Sequence, residues 1–362
     1  MLAPRTSFLK QSLSTCCLHL LHYPTTNTAH RPARSTKEGM GSGDGTGAAL
    51  LMEIPKVDLR GLEPDTPGWA RARAAVTASM TAHGCVVVVH DALGAELRQA
   101  LFGRALPQLF ALPFEAKKRS GCFINGPHRG YVGQVPSEAL ESVPIQDAGD
   151  PGSIRAFSDD LWPQGNQEFC DTVVEFAKNM LELEQTVERL ILEGLGTRDE
   201  SIASHLGSLS HLVRMTLYGT PPDKETGISL RAHRDEHMTT VLAQHEVGGL
   251  EVQVGDGRWV AVPPEPGTLT VMAGDQFRVV TNGRVPGCVH RVRTPSGRVR
   301  FSALLNRRCK GQAVLRAIDE LVDDDHPLMY NPCGPEEYRA FRLSEEGRNL
   351  SDPLKAFCGV ER

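Results

Sequence analysis

Residues 230–240 read LRAHRDEHMTT, and residues 288–302 read CVHRVRTPSGRVRFS. The first segment carries His233 and Asp235, two positions apart, and the second carries His290. Two imidazoles and one carboxylate form the ligand set that holds a non-haem ferrous ion on one face and leaves the opposite face open for substrates and dioxygen. The two segments therefore predict that these three residues are catalytic metal ligands.

The spacing of the three residues indicates how a fold could bring them together. Side chains alternate between the two faces of a strand, so His233 and Asp235 can point toward one ion from a single strand or strand end. His290 follows far enough along the chain for several strands to leave this point and return beside it. We therefore predict a mainly β fold with flanking α: a jelly-roll core, or double-stranded β-helix, with supporting N-terminal helices and a C-terminal helix.

Local patterns predict the elements of this fold. Short apolar runs between turn residues predict strands at 212–217, 249–254, 259–262, 269–272, 277–280, 289–292 and 299–305. Helical spacing of apolar residues predicts helices at 69–83, 93–111, 166–195 and around 336–348, and a β-branched run predicts a buried strand at 85–89. Between Gly121 and Pro163 the periodicity disappears, so we expect a loop that either contributes to a substrate pocket or is a solvent-exposed connection.

Arg300 and Ser302 follow His290 on the next predicted strand, two positions apart and therefore on one face. A ferrous site that activates dioxygen needs additional electrons, and oxidative decarboxylation of 2-oxoglutarate supplies them while succinate and carbon dioxide leave. The 2-oxo acid end of this cosubstrate can chelate iron, and its distal carboxylate needs a guanidinium and a hydroxyl donor. Arg300 and Ser302 offer that pair, although Arg300 could also be a surface arginine of a strand.

Composition limits the possible partners. The chain has 362 residues, of which 40% are hydrophobic and 23% are charged, as in a soluble globular protein. A net charge of -5 gives no electrostatic reason to expect nucleic acid or an anionic membrane, so we expect a small-molecule substrate. We also expect a monomer. The nine cysteines include no C-x-x-C pair, which indicates neither a disulfide framework nor a thiolate zinc site and favours the cytoplasm.

Residues 1–51 differ in composition from the rest of the chain. They are rich in Ser, Thr, Gly and basic residues, and their first acidic residue is Glu38. This composition is typical of a disordered leader, of an organelle transit peptide or of an over-extended gene model. We predict three segments after it, namely an N-terminal α/β region at 52–205, the jelly-roll domain at 206–310, and a C-terminal linker with a helix that packs on the core at 311–362.

From about residue 54 to 348 the chain resembles the plant-type 2-oxoglutarate and Fe(II)-dependent dioxygenases that share the isopenicillin N synthase fold. The motifs that carry the resemblance are HRD at 233–235, VGGLEV at 247–252, WV at 259–260, PG at 266–267, GD at 274–275, TNGR at 281–284, HRV at 290–292 and RFS at 300–302. The resemblance implies that Tyr218 hydrogen-bonds the 2-oxoglutarate carboxylate. Thr216 stands where the family often has Asn, and Arg234 where it usually has Thr or Ser.

Further segments resemble the AOP-type branch of these dioxygenases, which acts in specialised metabolism. They are LWPQGN at 161–166, LES at 140–142 and LKAFCG at 354–359. The resemblance implies hydroxylation, or desaturation, of a small-molecule plant metabolite, with dioxygen as cosubstrate and ascorbate as reductant. Phe123, Tyr131 and Phe301 are candidate walls of the substrate pocket, and each could instead be aromatic core packing.

Three other functions stay open at this point. Isopenicillin N synthase and aminocyclopropane carboxylate oxidase resemble this chain in the triad and in R-x-S, so an Fe(II) oxidase that does not use 2-oxoglutarate is one alternative. A jelly roll that binds a small hydrophobic ligand without catalysis is another. A zinc hydrolase is the third, since His233 and His237 have helical spacing, but the glutamate of the H-E-x-x-H motif is missing.

Overall fold

The computed structural model describes residues 54–119, 133, 140–311 and 313–361. The predicted leader and the candidate pocket residues Phe123 and Tyr131 lie outside the described residues. In the part of the chain that is described, no helix combines the length and the apolar character that crossing a membrane requires. The predicted segment boundaries stay predictions.

The strands form two sheets. In chain order they are β1 (Lys56–Asp58), β2 (Cys85–Val89), β3 (Leu140–Ile145), β4 (Leu209–Tyr218), β5 (Ile228–His233), β6 (Thr239–Gln244), β7 (Leu250–Gln253), β8 (Trp259–Ala261), β9 (Thr268–Ala273), β10 (His290–Arg293) and β11 (Arg300–Cys309). The large sheet has the order β1-β2-β9-β6-β11-β4-β3, and the small sheet has the order β5-β10-β7-β8. All pairs are antiparallel except β1 with β2. The chain crosses repeatedly between the two sheets, which is the connectivity of the predicted jelly roll.

Helices cover the outside of this core. They are α1 (Pro67–His83), α2 (Ala95–Ala100), α3 (Leu106–Ala111), α4 (Phe114–Arg119), α5 (Pro151–Leu161), α6 (Gln167–Gly194), α7 (Asp199–Gly207), α8 (Asp275–Val280), α9 (Pro335–Leu343), α10 (Glu345–Arg348) and α11 (Pro353–Cys358). The predicted helices 69–83 and 166–195 correspond to α1 and α6. The predicted fold class, a jelly-roll core with supporting helices at both ends, is confirmed.

The large sheet is buried on both faces, so it separates two apolar clusters. On the outer face, alternate residues such as Val241 and Ala303 pack against the helices, including Phe176 of α6. On the inner face, their neighbours Leu242 and Leu304 pack toward the small sheet. This alternation follows from the period of a strand, and it determines which side chains reach the interior of the jelly roll.

Helix α1 leads directly into β2 through one glycine. Thr66 caps the helix by accepting a hydrogen bond from the Trp69 backbone N–H at 3.2 Å. Gly84 ends it with a φ of 68°, a left-handed conformation in which glycine is favoured. A Cβ at Gly84 would lie 2.3 Å from the carbonyl oxygen of Pro286. The end of the predicted helix and the start of the predicted strand are both confirmed.

The helix predicted at 93–111 is wrong as a single element. A short 3-10 turn at Asp91–Leu93 precedes α2, and a π turn at Leu101–Ala105 separates α2 from α3. Pro107 has no N–H to donate to the fourth preceding carbonyl, and the Leu106 N–H bonds instead to the carbonyl of Leu101, five residues back. Proline therefore accounts for the interruption that apolar spacing did not predict.

The strand predicted at 277–280 is wrong, because these residues belong to helix α8. Val279 and Val280 are β-branched, which is typical of strands, but the segment forms a short helix that begins after Gly274. Gly283, with a φ of 76°, donates its N–H to the Arg278 carbonyl at 2.8 Å and ends the helix. The loop predicted between Gly121 and Pro163 is wrong for its second half, which contains strand β3 and helix α5. Strand β5 was predicted only as the strand or strand end that carries His233, and β6 was not predicted. All six residues of β6 are buried, so it shows no alternation in sequence.

The C-terminal helices pack on the body of the fold. The Tyr338 hydroxyl of α9 donates to the Asp275 carboxylate at 2.6 Å. Arg278 of α8 forms two hydrogen bonds with Asp352, at 3.0 and 2.7 Å, just before α11 begins. Leu354 is completely buried. These contacts link the end of the chain to α8, which begins close to the predicted ligand Asp235.

Candidate metal centre and cosubstrate pocket

Strand pairing brings the two predicted histidine ligands together. His233 is the last residue of β5 and His290 is the first residue of β10, and they are partners in the antiparallel register. Asp235 lies two residues beyond His233, where the chain turns from β5 toward β6. All three predicted ligands therefore meet at one end of the small sheet.

The potential ligand atoms of His233, Asp235 and His290 all lie within 4.8 Å of one another. The Asp235 Oδ1 atom is 3.6 Å from His233 Nε2 and 3.9 Å from His290 Nε2. The two imidazole rings have their centroids 4.2 Å apart. This is a compact set of two nitrogen donors and one oxygen donor, as the sequence predicted.

Backbone carbonyls orient both imidazoles. His233 Nδ1 lies 2.8 Å from the carbonyl oxygen of Arg231, and His290 Nδ1 lies 3.2 Å from that of Cys288. A ring nitrogen can only donate to a carbonyl, so each Nδ1 carries a proton, and in the neutral imidazole each Nε2 then keeps its lone pair. Both lone pairs are then available at the cluster, which is the arrangement that a metal ligand needs.

The charges of the cluster also suit a divalent cation. Burial would raise the pKa of the Asp235 carboxyl, but the imidazoles of His290 and His233 hold it well below its usual value. Burial and the neighbouring His233 lower the pKa of His290 to about 4. Near neutral pH the cluster therefore contains a carboxylate and a neutral imidazole at His290, and these are the protonation states that bind a metal.

Two polar residues that support Asp235 were not predicted from the sequence. The Thr240 hydroxyl donates to Asp235 Oδ2 at 2.6 Å, and the Asn306 amide donates to Thr240 Oγ1 at 2.7 Å. Thr240 and Asn306 are partners in the register of β6 and β11. The only signal for them is this pairing, which could not be inferred while β6 itself was not predicted. Together they hold the carboxylate so that Oδ1 faces the imidazoles.

Arg300 and Ser302 lie on the inner face of β11, and each is only 1% exposed. Arg300 Nη2 donates to Gln244 Oε1 at 2.9 Å, which fixes the direction of the guanidinium. Within the described ranges, Arg300 Nε and Nη1 and the Ser302 hydroxyl have no hydrogen-bond partner. A buried cation without a carboxylate is costly, so these unsatisfied donors indicate a place for an anionic ligand.

Tyr218 lies beside this pair. It is the register partner of Arg300 across β4 and β11, and the Arg300 Cζ atom is 4.7 Å from the centroid of its ring. Thr216, two residues earlier on β4, has its hydroxyl 3.1 Å from that of Ser142. Tyr218 therefore lies next to the Arg300 guanidinium, and the Thr216 hydroxyl already has a partner from β3.

Gly249 makes room for the Arg300 side chain. A Cβ at this position would lie 3.2 Å from Arg300 Cδ, 3.3 Å from Arg300 Nε and 2.7 Å from the Arg293 carbonyl oxygen. Its φ of 156° is also a conformation that other residues rarely adopt. The second glycine of the VGGLEV motif is therefore explained by the approach of the small sheet to Arg300.

The pocket prediction for Phe301 is not supported by its position. Phe301 points to the outer face of β11, opposite to Arg300 and Ser302. The centroid of its ring lies 6.1 Å from that of the Phe110 ring and 6.4 Å from that of the His245 ring. It belongs to the outer apolar cluster, because adjacent residues of a strand face opposite ways. The other two candidates, Phe123 and Tyr131, lie outside the described residues.

Arg234 is directed away from the cluster, as expected for the residue between two ligands. Its Nη1 donates to the Ser351 carbonyl at 3.3 Å, and its own carbonyl accepts a hydrogen bond from Arg342. The donor set of His233, Asp235 and His290 fits Fe(II), and the unsatisfied donors of Arg300 and Ser302 fit a dicarboxylate.

Comparison with protein-family models gives two matches along the chain. Residues 209–308 match the 2OG-Fe(II) oxygenase superfamily, and residues 54–151 match the N-terminal region described as that of a non-haem dioxygenase in morphine synthesis. The first match contains His233, Asp235 and His290 together with Arg300 and Ser302.

Curated relatives from Arabidopsis thaliana align over most of the chain. A probable 2-oxoglutarate-dependent dioxygenase, AOP1.2, is 32% identical over 318 residues, which are 86% of this chain and 97% of the relative. The 2-oxoglutarate-dependent dioxygenase AOP2 is 25% identical and covers 85% of this chain and 98% of its own length. Full-length similarity of this kind includes the helical N-terminal region as well as the jelly roll.

Solved structures agree with these matches. A dioxygenase for auxin oxidation from rice has a TM-score of 0.73 and 28% identity, and the alignment covers 85% of this chain and all of that one. The 2-oxoglutarate complex of dioxygenase for auxin oxidation 1 from Arabidopsis thaliana has a TM-score of 0.67 at 23% identity, and the alignment covers 76% of this chain and all of that one. At this identity the similarity concerns the fold alone. The chain therefore belongs to the 2-oxoglutarate- and Fe(II)-dependent oxygenases, within the plant branch that contains the AOP-type dioxygenases.

Proposed function

We propose that the protein oxidises a small-molecule plant metabolite, by hydroxylation or by desaturation, with dioxygen as cosubstrate, ascorbate as reductant and release of succinate and carbon dioxide. One observation carries this function. Among the described residues, the buried Arg300 side chain has two nitrogen donors without a hydrogen-bond partner, and the buried Ser302 hydroxyl lies beside it. Both residues share the inner face of β11 with Asn306, which contacts Thr240 behind Asp235.

His233, Asp235 and His290 would hold Fe(II) through two Nε2 atoms and one carboxylate oxygen. When bound together, the metal and 2-oxoglutarate supply an oxidant that can remove hydrogen from a C–H bond. The protein keeps the ligand set ready for this chemistry, since backbone carbonyls fix the imidazoles and Thr240 fixes the carboxylate. Asp235 also supplies one negative charge against the divalent cation.

Arg300 and Ser302 would bind the distal carboxylate of 2-oxoglutarate, with Tyr218 beside them. Gln244 already occupies one Arg300 nitrogen, so the guanidinium presents its remaining donors in one fixed orientation. A carboxylate would satisfy these donors and neutralise the buried charge, and such charge-assisted bonds are among the strongest in proteins. Because the donors are preorganised, little side-chain entropy is lost when the cosubstrate binds.

The three alternative functions that the sequence leaves open would require different features at this site. An Fe(II) oxidase without 2-oxoglutarate would need another role for the unsatisfied Arg300 donors. A binding protein without catalysis would need no ionised Asp235 between two imidazoles. A zinc site through His233 and His237 would require a helix, but His233 ends strand β5 and His237 precedes β6. We also propose that the protein is a monomer and that it acts in the cytoplasm, the compartment that its cysteine usage favours.

The test is an activity assay with separate readouts. The purified protein is incubated with Fe(II), ascorbate, 2-oxoglutarate and fractionated plant metabolites, and both succinate and metabolite masses are followed. We expect succinate together with a metabolite that gains one oxygen atom or loses two hydrogen atoms. A product that forms without 2-oxoglutarate would favour the oxidase alternative, and a protein that binds neither Fe(II) nor 2-oxoglutarate would contradict the proposed function.

A further inference from the structure

The inner face of β11 continues beyond the proposed cosubstrate anchor. Arg300, Ser302, Leu304, Asn306 and Arg308 occupy alternate positions and therefore share this face. Leu304 packs with the inner apolar cluster, and Asn306 contacts Thr240, which holds Asp235. Arg308 is the next residue on the same face, so a second guanidinium lies past the metal cluster along the strand.

A third inner guanidinium comes from the neighbouring strand. On β4, Arg214 shares the face of Thr216 and Tyr218, and it is the register partner of Leu304. Its Nη1 donates to the Ser142 hydroxyl at 3.0 Å, so the side chain is held by β3. Arg214 therefore lies on the Arg308 side of Ser302, between the cosubstrate anchor and the end of β11.

The charges around Arg308 leave it poorly neutralised. Its side chain is 23% exposed, and the Asp147 carboxylate lies 4.0 Å away on a side chain that is 68% exposed. The Glu236 carboxylate also attracts the Arg308 charge electrostatically, but it is already ion-paired with Arg339. An ion pair at this distance and exposure contributes little, so the positive charge remains available to a ligand.

Arg308 cannot serve the same 2-oxoglutarate molecule as Arg300. Eight residue steps separate the two along β11, which corresponds to roughly 26 Å of strand. A five-carbon dicarboxylate is much shorter than this distance, even when both side chains lean toward each other. An anion at Arg308 would therefore belong to a different molecule, and the molecule that must enter beside the metal cluster is the substrate.

We propose that Arg308, with Arg214 on the neighbouring strand, binds a carboxylate of the substrate. The substrate class is then a small carboxylic acid that is oxidised at a carbon remote from its carboxylate. This inference rests on the proposed function, because it assigns the substrate of the same site. A guanidinium matches a carboxylate through two parallel hydrogen bonds, and a neutral substrate would leave the partly desolvated Arg308 charge with only the exposed Asp147 carboxylate, 4.0 Å away, to neutralise it.

The experiment compares matched ligands that differ only in charge. Phenylacetate, 1-naphthylacetate and hexanoate, each paired with its primary carboxamide, are titrated against the full chain with 2-oxoglutarate and Zn(II) present, and binding is followed by ligand-observed NMR. We expect the acids to bind roughly 10- to 100-fold more tightly than the amides, as for a hydrogen-bonded ion pair. In Arg308→Gln and Arg214→Gln this ratio falls toward one, whereas Arg308→Lys keeps part of it.

Arg298→Gln is the matched control, since Arg298 is an exposed arginine in the turn before β11. It should keep the wild-type ratio, and thermal unfolding of every variant shows whether the fold is retained. Equal binding of acids and amides by the wild-type protein overturns the inference, as does a preference that survives in both Gln variants. Binding of 2-oxoglutarate is measured in the same samples, so its failure in the wild-type protein identifies a failure of the proposed function instead.

Discussion

His233 and His290 are direct partners across two neighbouring antiparallel strands, and their ring centroids lie 4.2 Å apart. Between them in sequence the chain forms strands β6 to β9 and then helix α8, and these four strands are divided between the two sheets. The cluster therefore exists only when the jelly roll is closed. Metal binding and the folding of this core should be coupled, because a ligand that binds only the folded state stabilises it.

Asp235→Asn should abolish tight Fe(II) binding. The change keeps the size of the side chain and the hydrogen bond from Thr240 but removes the negative charge that faces the imidazoles. We expect the bound iron to fall below the detection limit when metal content is measured after anaerobic loading and desalting. The metal-dependent increase in thermal stability should disappear as well.

Asp324→Asn is the control for this change, because Asp324 is an exposed carboxylate far from β5 in sequence. It should bind iron as the wild-type protein does. Thr240→Val should bind iron roughly 10-fold more weakly, since it only releases the orientation of Asp235. Normal iron content in Asp235→Asn would contradict the assignment of this residue as a ligand.

Arg300→Lys should weaken 2-oxoglutarate binding while iron binding is retained. Lysine keeps the positive charge but lacks the forked donors, and it cannot hold both Gln244 and a carboxylate in the same geometry. We expect the KM for 2-oxoglutarate to rise by roughly 10- to 100-fold, the range for a lost charge-assisted hydrogen bond. Steady-state succinate formation measures the change, with Arg298→Lys as the exposed control.

A buried pair of glutamates behind the large sheet should make stability depend on pH. Burial and the neighbouring Glu188 raise the pKa of Glu184 well above its usual value, although Arg307 lies 3.1 Å away. A carboxyl whose pKa is raised on folding contributes stability below its unfolded pKa, and this contribution is lost as the pH rises. Glu184→Gln stays neutral and should lose this dependence.

Urea unfolding between about pH 5 and about pH 8 tests the glutamate pair. The free energy of unfolding of Glu184→Gln relative to wild type should increase with pH, by at most about 1.4 kcal/mol for each pH unit. His205, whose pKa burial lowers to about 4, contributes in the opposite sense but is present in both proteins. Glu182→Gln, an exposed position on α6, should show no such trend, and a parallel pH profile for Glu184→Gln and wild type would contradict the prediction.

Sequence patterns sufficed to select His233, Asp235 and His290, which the fold brings together, because each of them lies in a short motif with its own chemistry. Asp235 and His233 are two positions apart, and the face on which Arg300 and Ser302 lie follows from strand periodicity alone. The family resemblance then supplied Tyr218, which carries no signal of its own. Periodicity also correctly predicted α6, whose apolar stripe is long and regular.

The residues that support the cluster could not be predicted in this way. Gln244 and Thr240 lie on β6, where both faces are buried and the sequence shows no alternation. The carbonyls of Arg231 and Cys288 orient the imidazoles, and backbone contacts leave no trace in residue type. Phe301 shows that residue type can also mislead. Its aromatic side chain suggested a pocket wall, but it lies on the outer face of β11 and packs in the outer apolar cluster.

Gly274→Ala should damage the metal cluster without a change of ligand. A Cβ at Gly274 would lie 2.1 Å from the His237 carbonyl oxygen and 2.8 Å from that of Asp235, so the segment that carries the carboxylate ligand must move. The Gly274 backbone has a φ of -100°, which alanine adopts without strain. Its effect is therefore purely steric, and overpacking of this kind costs about 1–3 kcal/mol of unfolding free energy.

We expect the Fe(II) affinity of Gly274→Ala to fall by roughly 10- to 100-fold, as for a displaced ligand support. Gly207→Ala is the matched control, because no atom of the described residues lies within 4 Å of a Cβ there, and its stability should stay within about 0.5 kcal/mol of wild type. Titration calorimetry with Fe(II) under anaerobic conditions and urea unfolding measure the two effects, and wild-type affinity in a folded Gly274→Ala protein would show that the position of this segment does not control the site.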